Sequence, residues 1–123
     1  MKKRLFIFAV LAVQLLFRRG VGLESLCAKF RNDEGYSYYE YLVSENGYAE
    51  IVRLTSGRSI FEIAEKLRVR VIKTERFFDT EILFGYVVGL NGFYVLDGRL
   101  INVQIADNGD FILIGSPYIP DGF

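Results

Sequence analysis

The chain has 123 residues, enough for one domain, and its composition (51% hydrophobic, 15% aromatic, two prolines) is that of a folded chain rather than a disordered one. The formal net charge is zero, but residues 1–23 hold five bases and no acid, so the remaining 100 residues carry ten bases against fifteen acids. This acidic body disfavours a nucleic-acid partner, because proteins that bind phosphate backbones normally cluster Lys and Arg.

Residues 1–22 are predicted to be an export segment. Met1–Arg4 is basic and Leu5–Phe17 is an apolar run with one glutamine, the order typical of a secretory signal. Such a helix spans about 20 Å, short of the roughly 30 Å hydrocarbon core, which favours a signal peptide. Arg18-Arg19 and the lack of a small-residue cleavage motif leave an uncleaved membrane anchor open. In both cases residues 23–123 are predicted to be a single extracytoplasmic domain, secreted or membrane-anchored.

Cys27 is the single cysteine, so the chain cannot form an intramolecular disulfide. Its position behind the apolar segment raises the alternative of lipid modification, but Glu24-Ser25-Leu26 departs from the small residues expected before a lipid-modified cysteine. Apolar residues recur at positions 23, 26, 27 and 30, a helical spacing. We therefore interpret Cys27 as a small buried side chain on a short helix.

The segment from residue 36 to residue 54 is predicted to be a β-hairpin. Residues 36–43 and 48–54 are rich in strand formers, and Asn46-Gly47 between them is a strong tight-turn signal. Because successive side chains of a strand alternate between faces, Tyr39 and Tyr41 are expected on one face, opposite Tyr36 and Tyr38.

The hairpin concentrates tyrosines, and we predict that they form a partner-binding surface. A tyrosine ring buries apolar area while its hydroxyl stays wet, which suits stacking on a sugar or covering a protein partner. The same residues are also good strand formers that need no ligand. The predicted surface comprises Tyr36, Tyr38, Tyr39, Tyr41 and Tyr48.

The rest of the chain alternates strand and turn signals around one helix. Ser59 and Glu62 form a capping box, followed by apolar residues at helical spacing that predict a helix of about eight residues. Strands are predicted at Arg68–Lys73, Glu81–Val88, Phe93–Leu96, Arg99–Ala106 and Phe111–Ile114, with tight turns at Asp97-Gly98 and Asn108-Gly109. The predicted fold class is α+β: an antiparallel, curved β-sheet with one or two flanking helices, preceded by an N-terminal hydrophobic signal or anchor helix.

The residue types exclude several kinds of chemistry. The chain has no histidine, which excludes Ser-His-Asp and Cys-His catalysis and histidine metal sites, and it has no phosphate-binding glycine motif. Asp107 and Asp110 flank the Asn108-Gly109 turn and would suit a hydrolase pair or a calcium site, but such residues usually cap turn amides. Asp79 and Glu81 receive the same interpretation. We predict no catalytic residues, no cofactor and no metal.

The end of the chain resembles the C-terminal part of the YwmB family. The resemblance is carried by Ile101–Ala106 (INVQIA), by Ile114–Ile119 (IGSPYI) and by the terminal aromatic residue, and it covers mainly Ile101 to Phe123. Members of this family, exported proteins of Gram-positive bacteria, have a similar N-x-Q-I-A strand and a G-[ST]-P-x-[IV] ending. They are often labelled "TATA-box binding", which we take to describe a fold of curved sheet and helices rather than DNA binding.

The sequence thus predicts an exported, non-catalytic domain that binds a protein or another cell-envelope component through its tyrosines. The first alternative is an envelope hydrolase that uses a carboxylate pair. The second is a nucleic-acid-binding module, which requires one continuous stripe of positive side chains. Lys73 interrupts such a stripe, because alternation along the predicted strand places it on the face opposite Arg68 and Arg70. The bases of that stripe would be Arg68, Arg70, Lys73 and Arg76.

Overall fold

The computed structural model describes residues 21–44 and 47–120, of which the side chains of residues 43 and 44 are not described. Most of the predicted export segment lies outside the described residues. The strands are β1 (Ser37–Ser44), β2 (Gly47–Thr55), β3 (Arg70–Phe77), β4 (Thr80–Tyr86), β5 (Tyr94–Leu96), β6 (Arg99–Ile101), β7 (Val103–Asp107) and β8 (Phe111–Ser116). The helices are α1 (Leu23–Leu26), continued by a 3-10 turn (Ala28–Phe30), and α2 (Ile60–Lys66).

Six strands form one antiparallel sheet in the order β1-β2-β8-β7-β4-β3, and β5 and β6 form a separate hairpin. This confirms the predicted α+β class with an antiparallel sheet. Within the described ranges, no helix has the length and apolar character needed to cross a membrane.

One face of the sheet, here called the helix face, carries the main core. The register places Val52, Ile114, Ile105 and Leu83 side by side across the four central strands. These residues pack in one buried cluster with the apolar side chains of α2 and of the α1 region. The opposite face, here called the tail face, carries the residues that alternate with them.

Helix α2 begins and ends through local hydrogen bonds. The Ser59 hydroxyl accepts from the Phe61 backbone N–H at 3.2 Å, which confirms the predicted N-cap. At the other end Arg68 adopts a positive φ of 58°, with its N–H bonded to Glu65 O and the Val69 N–H bonded to Ala64 O. This pair of bonds is a Schellman motif.

The predicted strand at Arg68–Lys73 was therefore placed too early. Arg68 belongs to the end of α2, and β3 begins at Arg70. A β-bulge follows, since the register shifts between Val71 and Lys73. The extra residue brings Lys73 onto the tail face with Arg70, whereas alternation alone had separated them.

The predicted strand at Arg99–Ala106 is divided at Asn102, which is 1% exposed. Its side chain makes two buried hydrogen bonds to one residue: the Val87 N–H donates to Oδ1 and Nδ2 donates to the Val87 carbonyl, both at 2.8 Å. Because Val87 is engaged in this way, β4 ends at Tyr86 and β6 leaves the sheet to pair with β5. The Asp97-Gly98 turn of this hairpin has positive φ at both residues, as a type I′ turn requires.

The C-terminal tail, residues 117–120, crosses the tail face at Gly115. A Cβ at this position would lie 2.6 Å from Ile119 Cγ1 and 2.8 Å from Tyr118 O, so glycine is required for this approach. Gln104 fixes the crossing: its Oε1 accepts from the Ile119 N–H at 3.0 Å, and its Nε2 donates to the Tyr94 hydroxyl at 2.5 Å.

We expect Asn102→Ala to lower the free energy of unfolding by about 2–3 kcal/mol, because it leaves the N–H and C=O of Val87 buried without partners. The measurement is urea unfolding of the full chain in a nonionic detergent, followed by far-UV circular dichroism. Asn32→Ala, at an exposed turn residue, is the matched control and should change stability by less than about 0.5 kcal/mol. Equal losses in the two variants would contradict the role assigned to Asn102.

Candidate binding surface

Strand β1 is an edge of the sheet, with β2 as its one neighbour among the described strands. Its pairing with β2 runs without interruption from Ser37↔Arg53 to Leu42↔Tyr48, and the register shifts beyond Leu42. The outer edge of these residues therefore presents backbone groups that no described strand pairs with.

The structure divides the five predicted tyrosines into three environments. Tyr36 and Tyr38 lie on the helix face and pack partly buried against the core. Tyr39 and Tyr41 lie on the tail face and are 41% and 42% exposed. Tyr48 is 65% exposed on the helix face, at the far end of the hairpin. The expected separation of the tyrosines between faces is confirmed, and of the five the structure brings Tyr39 and Tyr41 together as an exposed pair.

Tyr38 positions Glu50, which joins the sheet to the start of α1. Its hydroxyl donates to Glu50 Oε2 at 2.8 Å and lies 3.2 Å from Glu40 Oε1, while Glu50 Oε1 accepts from the Leu23 N–H at 3.2 Å. Burial, followed by the hydrogen bond to Glu50, raises the pKa of Tyr38 well above its usual value. The neutral hydroxyl orients the Glu50 carboxylate, which holds the first turn of α1 against β2.

In the alternative hydrolase pair, Asp107 and Asp110, the carboxylate of Asp107 caps the turn. Asp107 Oδ1 accepts from the Gly109 N–H at 2.9 Å and from the Ser56 hydroxyl at 3.2 Å. Asn108 Oδ1 accepts from the N–H groups of the two residues that follow the turn. The favoured turn role is thus confirmed for Asp107. Across residues 21–44 and 47–120, no three Cys, Asp or Glu side chains converge as a metal site would need.

The four bases of the nucleic-acid alternative do not form one stripe. Arg68 ends α2, Arg70 and Lys73 share the tail face, and Arg76 is paired across the strands with Glu81 on the helix face. Lys73 is also engaged, with its Nζ 2.7 Å from Glu75 Oε1 and 3.6 Å from Asp97 Oδ2.

Sequence reasoning missed a cleft between the β3–β4 pair and β6. It is lined by Arg70, Ile72, Tyr86, Arg99 and Leu100. No local pattern could have indicated it, because its walls come from three separate strands whose proximity depends on the departure of β6 at Asn102.

Comparisons with protein-family models, with curated proteins and with solved structures each give no match to this chain.

Cys27 directly follows α1, and its side chain is fully buried, as the sequence predicts. Burial, together with the nearby Glu50 carboxylate, raises the pKa of its thiol to about 12. The nucleophilic thiolate is therefore scarce at pH 8, where an ordinary thiol with a pKa near 8.5 is partly ionised.

We expect the Cys27 thiol of the folded chain to react with a disulfide reagent such as DTNB at least about a hundredfold more slowly than that of the urea-unfolded chain at pH 8. The rate is followed as absorbance of the released aromatic thiol. Comparable rates in the two states would contradict the buried environment of Cys27.

Proposed function

We propose that residues 23–123 form an exported, non-catalytic domain that binds a protein of the cell envelope along strand β1. The observation that carries this proposal is the coincidence of a sheet edge with two exposed tyrosines on the same strand. The cell-envelope location remains a proposal, supported by the order of bases and apolar residues in the first 22 residues.

The edge of β1 suits an extended segment of a partner protein. A strand added to a sheet edge forms main-chain hydrogen bonds with it, and these bonds supply affinity. From Ser37 to Leu42 the strand has no proline, no register shift and one charged residue, Glu40, which points to the helix face. Over these six residues the strand therefore lacks two features by which proteins often protect an edge, a proline and a β-bulge.

Tyr39 and Tyr41 would add specificity to this pairing. They stand two residues apart on the tail face, opposite the fully buried Ile51 and Ala49 of β2. An added strand presents alternate side chains to the same face, so two of its residues would lie beside the two rings. Tyrosine rings in this position supply contact area at a low cost in conformational entropy.

The described chain constrains how the export segment would be removed. The Val21 N–H donates to Gly89 O at 2.7 Å, and the Asn91 N–H donates to Val21 O at 3.0 Å. The next core residue, Leu23, is fully buried. A cut that preserves these contacts falls before Val21, and an uncleaved segment would hold the domain beside the membrane.

A relationship to the YwmB family is also proposed, on the residues that carry the resemblance. Three of these residues have structural roles. The Asn102 side chain interrupts the strand, Gln104 hydrogen-bonds to the C-terminal tail, and Gly115 leaves space for the tail to cross the sheet. A shared need for these contacts supports a likeness of fold, and the acidic body supports a function other than DNA binding.

We expect the double variant Tyr39→Ala/Tyr41→Ala to weaken binding of the envelope partner at least about tenfold, because it removes the two aromatic contacts beside the added strand. The partner is the protein that the immobilised full chain retains from a wall-membrane extract, and its affinity is then measured with purified components. Amide hydrogen exchange of the complex should show new protection within residues 37–42.

Tyr48→Ala is the matched control, because Tyr48 is an exposed tyrosine of the same hairpin on the other face. It should change the affinity by less than about threefold. If Tyr48→Ala weakens binding as much as the double variant, or if β1 gains no protection, β1 is not the binding strand.

We expect a Gram-positive host that expresses the full chain to yield either a shortened protein that begins at or before Val21 in the medium or wall, or the intact chain in the membrane. Intact mass and N-terminal sequencing of each fraction distinguish these products. Intact chain in the cytosol would contradict export, and a start beyond Val21 would contradict the proposed cut.

A further inference from the structure

A cleft of about 480 Å³ lies near the edge of the sheet opposite to β1, between the β3–β4 pair and β6. Arg70 and Tyr86 are cross-strand partners in one wall, and Ile72, the extra residue of the bulge, adds to it. Arg99 and Leu100 of β6 form the other wall. The volume is that of a small-molecule site.

The cleft is held open by elements already fixed elsewhere. Asn102 directs β6 away from β4, while its backbone N–H still bonds to Gly85 O at 3.0 Å. At the hairpin turn, the Asp97 carboxylate lies 3.6 Å from the Lys73 ammonium of β3, which links the two walls. The space therefore does not depend on a ligand to form.

The charges in the cleft are unbalanced. Over residues 21–44 and 47–120, neither Arg70 nor Arg99 has a carboxylate within 4.0 Å, whereas the neighbouring Lys73 meets both Glu75 and Asp97. Both arginines are exposed, so their guanidinium groups are accessible from solvent. A guanidinium offers paired N–H donors that match the oxygens of phosphate and carboxylate groups, and two of them around one space attract an anion.

The remaining lining is apolar. Ile72, Leu100 and the ring of Tyr86 supply surface that would not favour a free inorganic ion. We propose that this cleft binds a small molecule in which a phosphate or carboxylate group is attached to an apolar body, with Arg70 and Arg99 on the oxyanion and the apolar residues on the body. The site is independent of the proposed pairing along β1, since the two lie at different edges of the sheet.

The test uses the ¹⁵N-labelled full chain in dodecyl maltoside, a detergent without anionic groups. Phenyl phosphate and benzoate are titrated separately, with inorganic phosphate as the comparison, and amide chemical shifts are recorded. We expect at least one aromatic probe to saturate shifts at residues 70–72, 86 and 99–100, with an affinity at least about tenfold above that of inorganic phosphate.

Arg70→Gln and Arg99→Gln should each weaken that binding about tenfold or more, because each removes a charge-assisted contact. Arg76→Gln is the matched control on the same strand but the other face, and it should change the affinity by less than about twofold. Circular dichroism checks that all three variants keep their secondary structure. Absence of saturation with both aromatic probes, equal affinity for inorganic phosphate, or an equal loss in Arg76→Gln would overturn the proposal.

Discussion

The two hydrogen bonds between the Asn102 side chain and Val87 set the shape of half the molecule. They occupy both backbone groups of the residue that would otherwise continue β4, in a buried environment where an unpaired group costs free energy and a paired one is held firmly. As a result β4 ends and β6 departs at the same level of the sheet. The hairpin, its turn and the cleft beside it all follow from this separation.

The tail face is organised around a second polar side chain, Gln104. Through it the β5–β6 hairpin and the C-terminal tail are joined over the centre of the sheet, where Gly115 leaves space for the chain to cross. The centre of this face is therefore covered, and what remains accessible lies towards the two edges. The tyrosine pair of β1 and the arginine cleft beside β3 occupy these separate positions, so the two proposed binding events do not compete for the same surface.

Each feature that was predicted correctly from the sequence depends on residues that are close together in the chain. Three such features are the Ser59 cap, the Asp97-Gly98 turn and the placement of Tyr39 and Tyr41 on one face of the sheet. Each depends on the geometry of a few neighbouring residues. One error arose locally: a run of alternating bases and apolar residues suits a strand, yet Arg68 ends a helix through a bond to Glu65. The other arose where a distant contact decides, because a continuous strand pattern from residue 99 gave no sign that the Asn102 side chain would bond to Val87. Alternation also separated the tyrosines without indicating which face the helices cover, so the partly buried role of Tyr38 could not be predicted.

The two edges of the sheet are unequal. The register of β3 shifts near its start, between Val71 and Lys73, whereas β1 pairs regularly with β2 from Ser37 to Leu42 and shifts register beyond Leu42. Fibrils that grow by edge pairing need two receptive edges on every molecule, because each new copy must both accept a strand and offer one. A molecule with a single receptive edge terminates such growth at the first pairing. If copies of this chain paired through β1, the bulge in β3 would therefore favour a closed pair over continued growth.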